Sequence, residues 1–232
     1  MGAMSAEGER ERKRLEFALA RQDLELESAL QRGEPGADER ALLYLEADPW
    51  RFRSGYVKQR LFCYLRRYEL SGEQRQRLQT VFIAHVDAGE RWEFREACRC
   101  ARRFQTSELR DALVDRLTTD DLGVAIRATR MVTTIRHPRL SEVDRSHARA
   151  ALLLWAAGSR TYEGRWVPTV VQRLWSPVWG EDLVELAQGQ PDLATTRAAR
   201  LLLGSARRKA TAPQRQDSSA PSRGPSRLDC RP

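Results

Sequence analysis

The feature that most restricts the fold of this chain is a helical unit that recurs along it. Gly89-Glu-Arg-Trp-Glu-Phe-Arg95-Glu-Ala-Cys-Arg99, Asp120-Asp-Leu-Gly-Val-Ala-Ile-Arg127-Ala-Thr-Arg130 and Gln190-Pro-Asp-Leu-Ala-Thr-Thr-Arg197-Ala-Ala-Arg200 share one design. Each begins with a polar or acidic turn and places an arginine early in the next helix. Small residues and a second arginine follow. Asp48-Pro-Trp-Arg-Phe-Arg53 opens a looser fourth copy. The anchor arginines at 53, 95, 127 and 197 stand 42, 32 and 70 residues apart, and 70 is two periods of 35. A helix pair of this length buries only one face on its own, so neighbouring units must stack to make a continuous core.

The intervening sequence keeps to helical spacing. Residues 9–32 carry Leu15, Leu19, Leu26 and Leu30 with charges on the other faces, which predicts an amphipathic helix that Gly33, Pro35 and Gly36 end. From Ala37 to about Leu203 helix follows helix, punctuated by Gly, Pro, Ser and Asp pairs. Runs such as Thr80 to Ala84 sit inside longer helical patterns, so the class is all-α. Phe94, Ala97, Cys98, Ala101 and Phe104 lie at steps of three and four and read as a core stripe. The pattern resembles the HEAT-repeat family, whose second helix typically begins Asp-x-x-Val-Arg-x-x-Ala. The copies at Trp92–Ala101 and Leu193–Leu203 carry it best, then Asp120–Val132 and Asp48–Leu61; the segment around 160 departs from it. The resemblance covers roughly 48–208. It implies a right-handed superhelix of stacked antiparallel helix pairs, a HEAT-like α-solenoid, with the second helices lining a concave face.

Three regions follow: an N-terminal segment, 1–36, with tag-like first residues and the amphipathic helix; the solenoid, 37–208; and a basic Ser/Pro-rich tail, 209–232. The tail has too little apolar surface to offset the entropy of ordering it, which predicts disorder. The chain has 232 residues, a net charge of +8 and 41% hydrophobic residues, enough for a core. From Gly204 onward the charge is +5, so the larger part of the excess is outside the repeats. The N-terminal residues lack the apolar stretch of a secretory signal, and no apolar run approaches the ~20 residues that span a bilayer. The expectation is a cytoplasmic protein with no membrane partner.

Chemistry-bearing motifs are sparse. Cys63, Cys98, Cys100 and Cys230 contain no Cys-x-x-Cys, and His85, His137 and His147 no His-x-x-x-His, so neither a metal nor a cofactor is expected. The cysteines read as thiols in a reducing compartment. Phosphate-binding glycine loops and nucleophile elbows are absent too, and no catalytic residue is assigned.

The arginines carry the functional reading. Of 40 basic residues only Lys13, Lys58 and Lys209 are lysines. In the resemblance, anchors Arg95, Arg127 and Arg197 form a structural ladder with acidic turn residues, here Asp120, Asp121 and Asp192. The surplus arginines follow the anchors at helical offsets: Arg99, Arg102 and Arg103 after Arg95, Arg130 after Arg127, Arg200 after Arg197, Arg60 and Arg67 after Arg53. With Arg136, Arg207 and Arg208 they make candidate contacts to an anionic partner, either DNA or RNA or an acidic protein, because guanidinium pairs well with phosphate and carboxylate. Trp92, Trp166, Trp175 and Trp179 are candidates for stacking on a flat ligand, core packing being the alternative for the last three. The leading expectation is a non-enzymatic binding module. One alternative is a HEAT-like alkylpurine DNA glycosylase, for which Trp92 with Glu93 or Glu96 is the nearest grouping. The other is a protein-interaction scaffold that binds no nucleic acid.

Overall fold

The computed structural model describes residues 21–50, 53–89, 91–135, 140–158, 166–188 and 193–210, the side chains of 207–210 excepted. Among these every regular element is a helix: α1 (21–32), α2 (Ala37–Ala47), α3 (Ser54–Leu65), α4 (Gly72–Asp87), α5 (Phe94–Arg103), α6 (Ser107–Asp115), a 3-10 turn (Arg116–Thr118), α7 (Leu122–Thr134), α8 (Glu142–Gly158), α9 (Val167–Leu174), α10 (Pro177–Gln188) and α11 (Leu193–Ala210). No described helix is long and apolar enough to cross a membrane. The chain divides into two compact units, Met1–Leu109 and Arg110–Pro232, with the boundary inside α6.

Local chemistry sets the helix starts. Ser71 and Gln74 form a reciprocal capping box at α4: the Gln74 amide donates to Ser71 Oγ at 3.2 Å, and the Ser71 amide donates to Gln74 Oε1 at 2.9 Å. Asp121 accepts from the Val124 amide at 3.1 Å and caps α7. Ser141 caps α8 by accepting from the Asp144 amide at 3.1 Å. Pro177 opens α10, where a missing amide costs no helical hydrogen bond.

In the first unit α2 packs on α3 and α4, and α5 packs on α3 and α4. Leu42, Leu61, Phe62, Phe82, Phe94 and Ala97 are buried in its core. The stripe Phe94, Ala97, Cys98, Ala101 and Phe104 is buried throughout, as its spacing predicts. α1 joins this unit by burying Ala29 and Leu30, and Tyr68 Oη donates to the Leu30 carbonyl at 2.7 Å. In the second unit α7, α8 and α9 pack on one another, and α11 packs on α8, α9 and α10. Met131, Val132, Leu152, Val171, Leu183 and Leu202 form its core. Cys98 and Cys100 are free and buried, and burial pushes the Cys100 thiol up. Cys63 is disulfide-bonded, so the expectation of a thiol fails there.

Removing the α4 cap isolates one of these local terms. Ser71→Ala lowers global stability by about 1 kcal/mol, read as a shift in the urea midpoint at unchanged slope.

Candidate functional site

Four segments of the first unit meet around a buried ammonium. Lys58, on α3, is fully buried, and its Nζ lies 2.5 Å from Asp48 Oδ1 and 3.9 Å from Glu93 Oε1. Asp48 stands where the chain leaves α2, with φ at +42°, a left-handed conformation that aspartate tolerates better than most residues. Arg91 grips the same carboxylate through both oxygens, at 2.8 and 2.6 Å. Glu93 immediately precedes α5 and is buried beside Gly55, where a Cβ would stand 3.2 Å from Glu93 Oε2. His85, near the end of α4, completes the cluster. Its Nδ1 donates to the Val81 carbonyl at 3.0 Å, and its Nε2 faces Glu93 Oε1 at 3.8 Å.

The electrostatics follow from this geometry. Burial pushes the Asp48 carboxyl up, but hydrogen bonds from Lys58 and Arg91 outweigh it and hold the group below its ordinary value. Burial also lowers His85, against the pull of Glu93. The ligand atoms of Asp48, His85 and Glu93 lie within 4.8 Å of one another, a spacing a metal can use. The Lys58 ammonium already holds Asp48 there, and with Arg91 it balances the two carboxylates. The cluster therefore works as an ionic lock joining α2, α3, α4 and the start of α5.

Three aromatic rings near the lock in sequence stand in water. Trp50 is 81% exposed, Trp92 80% and Tyr56 54%. The Tyr56 and Trp92 rings stack at 6.3 Å with 26° between their planes, and the Arg91 guanidinium sits 5.2 Å over the Trp50 ring.

Arginines continue from these rings along α5. Arg95, Arg99, Arg102 and Arg103 are all exposed, and the single acid on α5, Glu96, is buried. Three guanidinium groups converge on that carboxylate: Arg99 at 2.5 Å, Arg66 at 3.5 Å and Arg95 at 3.9 Å. Arg67, at the end of α3, is exposed and lies 5.3 Å over the Tyr64 ring. Arg102 makes no ion pair among the described residues. Two of the sequence candidates are neutralised locally, Arg60 by Glu27 at 2.5 Å and Arg103 by Glu69 at 2.5 Å.

The remaining candidates lie in the second unit. Arg130 sits 5.2 Å over Trp166, which also packs on Trp155 at 5.2 Å. Trp179 is buried under Arg149, and Trp175 meets it edge to face at 5.8 Å. Arg200 donates to the Ala187 carbonyl at 3.2 and 3.1 Å. Arg127 and Asp121 both close on Gly123, where a Cβ would come within 3.0 Å of either side chain. Asp120 and Arg197 are exposed. Arg136 and Asp192 fall outside the described residues, and Arg207 and Arg208 fall in α11. An open groove of about 860 Å³ is lined by Trp175, Val184 and Leu203 and by Glu181 and Glu185.

Sequence reasoning missed Lys58, Asp48, Arg66 and Trp50. A signal for Lys58 was present: it is the one lysine between positions 14 and 208. No protein-family model, curated protein or solved structure matches this chain.

Two measurements check the lock. Lys58→Met leaves Glu93 buried without its cation and lowers stability by about 3–5 kcal/mol; Lys58→Arg does not restore it. Since His85 and Asp48 are both lowered in the folded state, the unfolded chain takes up protons first as the pH falls. Stability present at pH 7 therefore declines below the ordinary histidine value of 6.5, and again below the ordinary aspartate value of 3.8. In His85→Gln the first decline is absent from denaturation curves recorded between pH 7.5 and 5.

Proposed function

We propose that this chain is a HEAT-like α-solenoid binding module, a right-handed superhelix of stacked antiparallel helix pairs, that holds a nucleic-acid backbone on an arginine face. The packing of α2 on α3 and α4, and of α5 on α3 and α4, supports the solenoid reading, since repeats of this kind contact only their neighbours. The observation that carries the binding reading is the convergence of Arg66, Arg95 and Arg99 on Glu96. Three positive charges meet one negative charge at the surface of α3 and α5, and Arg102 adds another with no partner among the described residues. Phosphate oxygens can take the guanidinium donors that one carboxylate leaves unused.

Local neutralisation narrows the face. Glu27 is buried and keeps Arg60 occupied. Glu69 is largely exposed, so its pair with Arg103 is weak and a phosphate can displace it. Glu93 and Glu96, the carboxylates nearest Trp92 in sequence, are buried behind basic partners and have no free approach to a ligand. Binding without chemistry is therefore the reading preferred over base excision.

The full chain is expected to bind oligonucleotides with an affinity that falls linearly, on logarithmic axes, as salt rises. Arg95→Glu with Arg102→Glu weakens binding at least tenfold and lowers the salt slope by roughly one unit per arginine. Unchanged binding in that variant sinks the α5 face. Nuclease-resistant capture of an acidic protein, with no oligonucleotide affinity, supports the scaffold reading instead.

A further inference from the structure

We infer that the exposed rings at the start of α3 and α5 form a base-stacking platform, so that the ligand of the arginine face is a single-stranded nucleic acid. This rests on the polyanion reading above and narrows it. Three observations meet at this end of the first unit.

The rings are large and exposed, two of them stack on each other, and the third lies under Arg91. Folding buries aromatic surface where it can, at about 25 cal/mol per Å² of apolar area removed from water. Here Trp50, Tyr56 and Trp92 stay in solvent. In the second unit, by contrast, Trp179 is buried and Trp166 is packed against Trp155. A cluster of exposed rings rimmed by charge is the surface form of a binding site.

The rings are held in place before any ligand arrives. Trp92 lies between Arg91 and Glu93, both anchored in the Lys58 lock, and Tyr56 backs one face of its ring. Trp50 follows Asp48 by two residues, and Arg91 covers one of its faces. A stacking base then meets a ring already braced on one face, so less ordering entropy opposes binding.

The rings and the arginines share a line. Exposed positions 92, 95, 99, 102 and 103 follow helical offsets of +3, +7, +10 and +11. Arg95, Arg99, Arg102 and Arg103 run along one face of α5, about 10 Å from Arg95 to Arg102 at 1.5 Å per residue, and Trp92 stands two residues before its start. Bases at the ring end and phosphates along the arginines match the two halves of a nucleotide strand.

Duplex DNA offers this surface phosphates but keeps its bases paired and stacked. An acidic protein surface offers carboxylates but no flat π-face. Only an unpaired strand uses both parts, and stacking tolerates any base because every base has a π-face.

The test compares the full chain binding to four probes at fixed salt: a single-stranded decanucleotide, an abasic strand of equal phosphate number, a duplex and heparin. The intact single strand is expected to bind more tightly than the abasic strand and to quench tryptophan fluorescence. Trp92→Ala removes that preference, weakening the intact strand by about 5- to 150-fold while leaving heparin and abasic binding unchanged. Trp92→Phe retains part of the preference. The side chain is largely in solvent, so these variants keep the wild-type melting temperature. Equal binding of intact and abasic strands, unaffected by Trp92→Ala, overturns the platform and leaves the arginine face standing. Loss of binding to all four probes in the wild type overturns both. Tighter binding to duplex than to single strand also overturns the platform.

Discussion

A fully buried lysine needs compensation, because removing an ammonium from water costs several kcal/mol even after the protein relaxes. Lys58 is compensated by Asp48 from the end of α2 and by Glu93 from the start of α5. Those contacts make the chain's path around them obligatory. Asp48 turns into the left-handed region at the end of α2, a side chain at Gly55 would press on Glu93, and Arg91 pairs with Asp48 from outside. Lys58 ties the end of α2 to the residue that precedes α5. Trp50 and Trp92 thus stand within two residues of side chains that this cluster holds, whereas the arginine stripe follows from spacing along α5.

The same physics sorts the surface arginines. A net charge of +8 does not locate a binding face, since a guanidinium beside a carboxylate presents little field to a partner. Glu27 removes Arg60 from consideration, and Glu69 partly removes Arg103. Glu96 acts differently because it is one carboxylate among three guanidinium groups. It orders Arg99 and Arg66 without neutralising the cluster. Order with residual positive charge is what recognition of phosphate requires.

How much of this was legible depends on the range of each interaction. The helices, the stripe of Phe94, Ala97, Cys98, Ala101 and Phe104, and the row of arginines on α5 all follow from spacing within one helix. Sequence periodicity reports such spacing directly. Trp179 and Trp92 carry no comparable mark. One lies under Arg149 and the other in water, and neither neighbouring sequence distinguishes them.

By itself, then, the sequence determined an all-helical chain with a recurring arginine register, because local periodicity and turn chemistry suffice for both. The tertiary structure decided which charges are spent and which rings are offered. Lys58 meets Glu93 across 35 positions, Arg60 meets Glu27 across 33 and Arg103 meets Glu69 across 34. No local pattern encodes such pairings, since they exist only once helices from distant parts of the chain have packed.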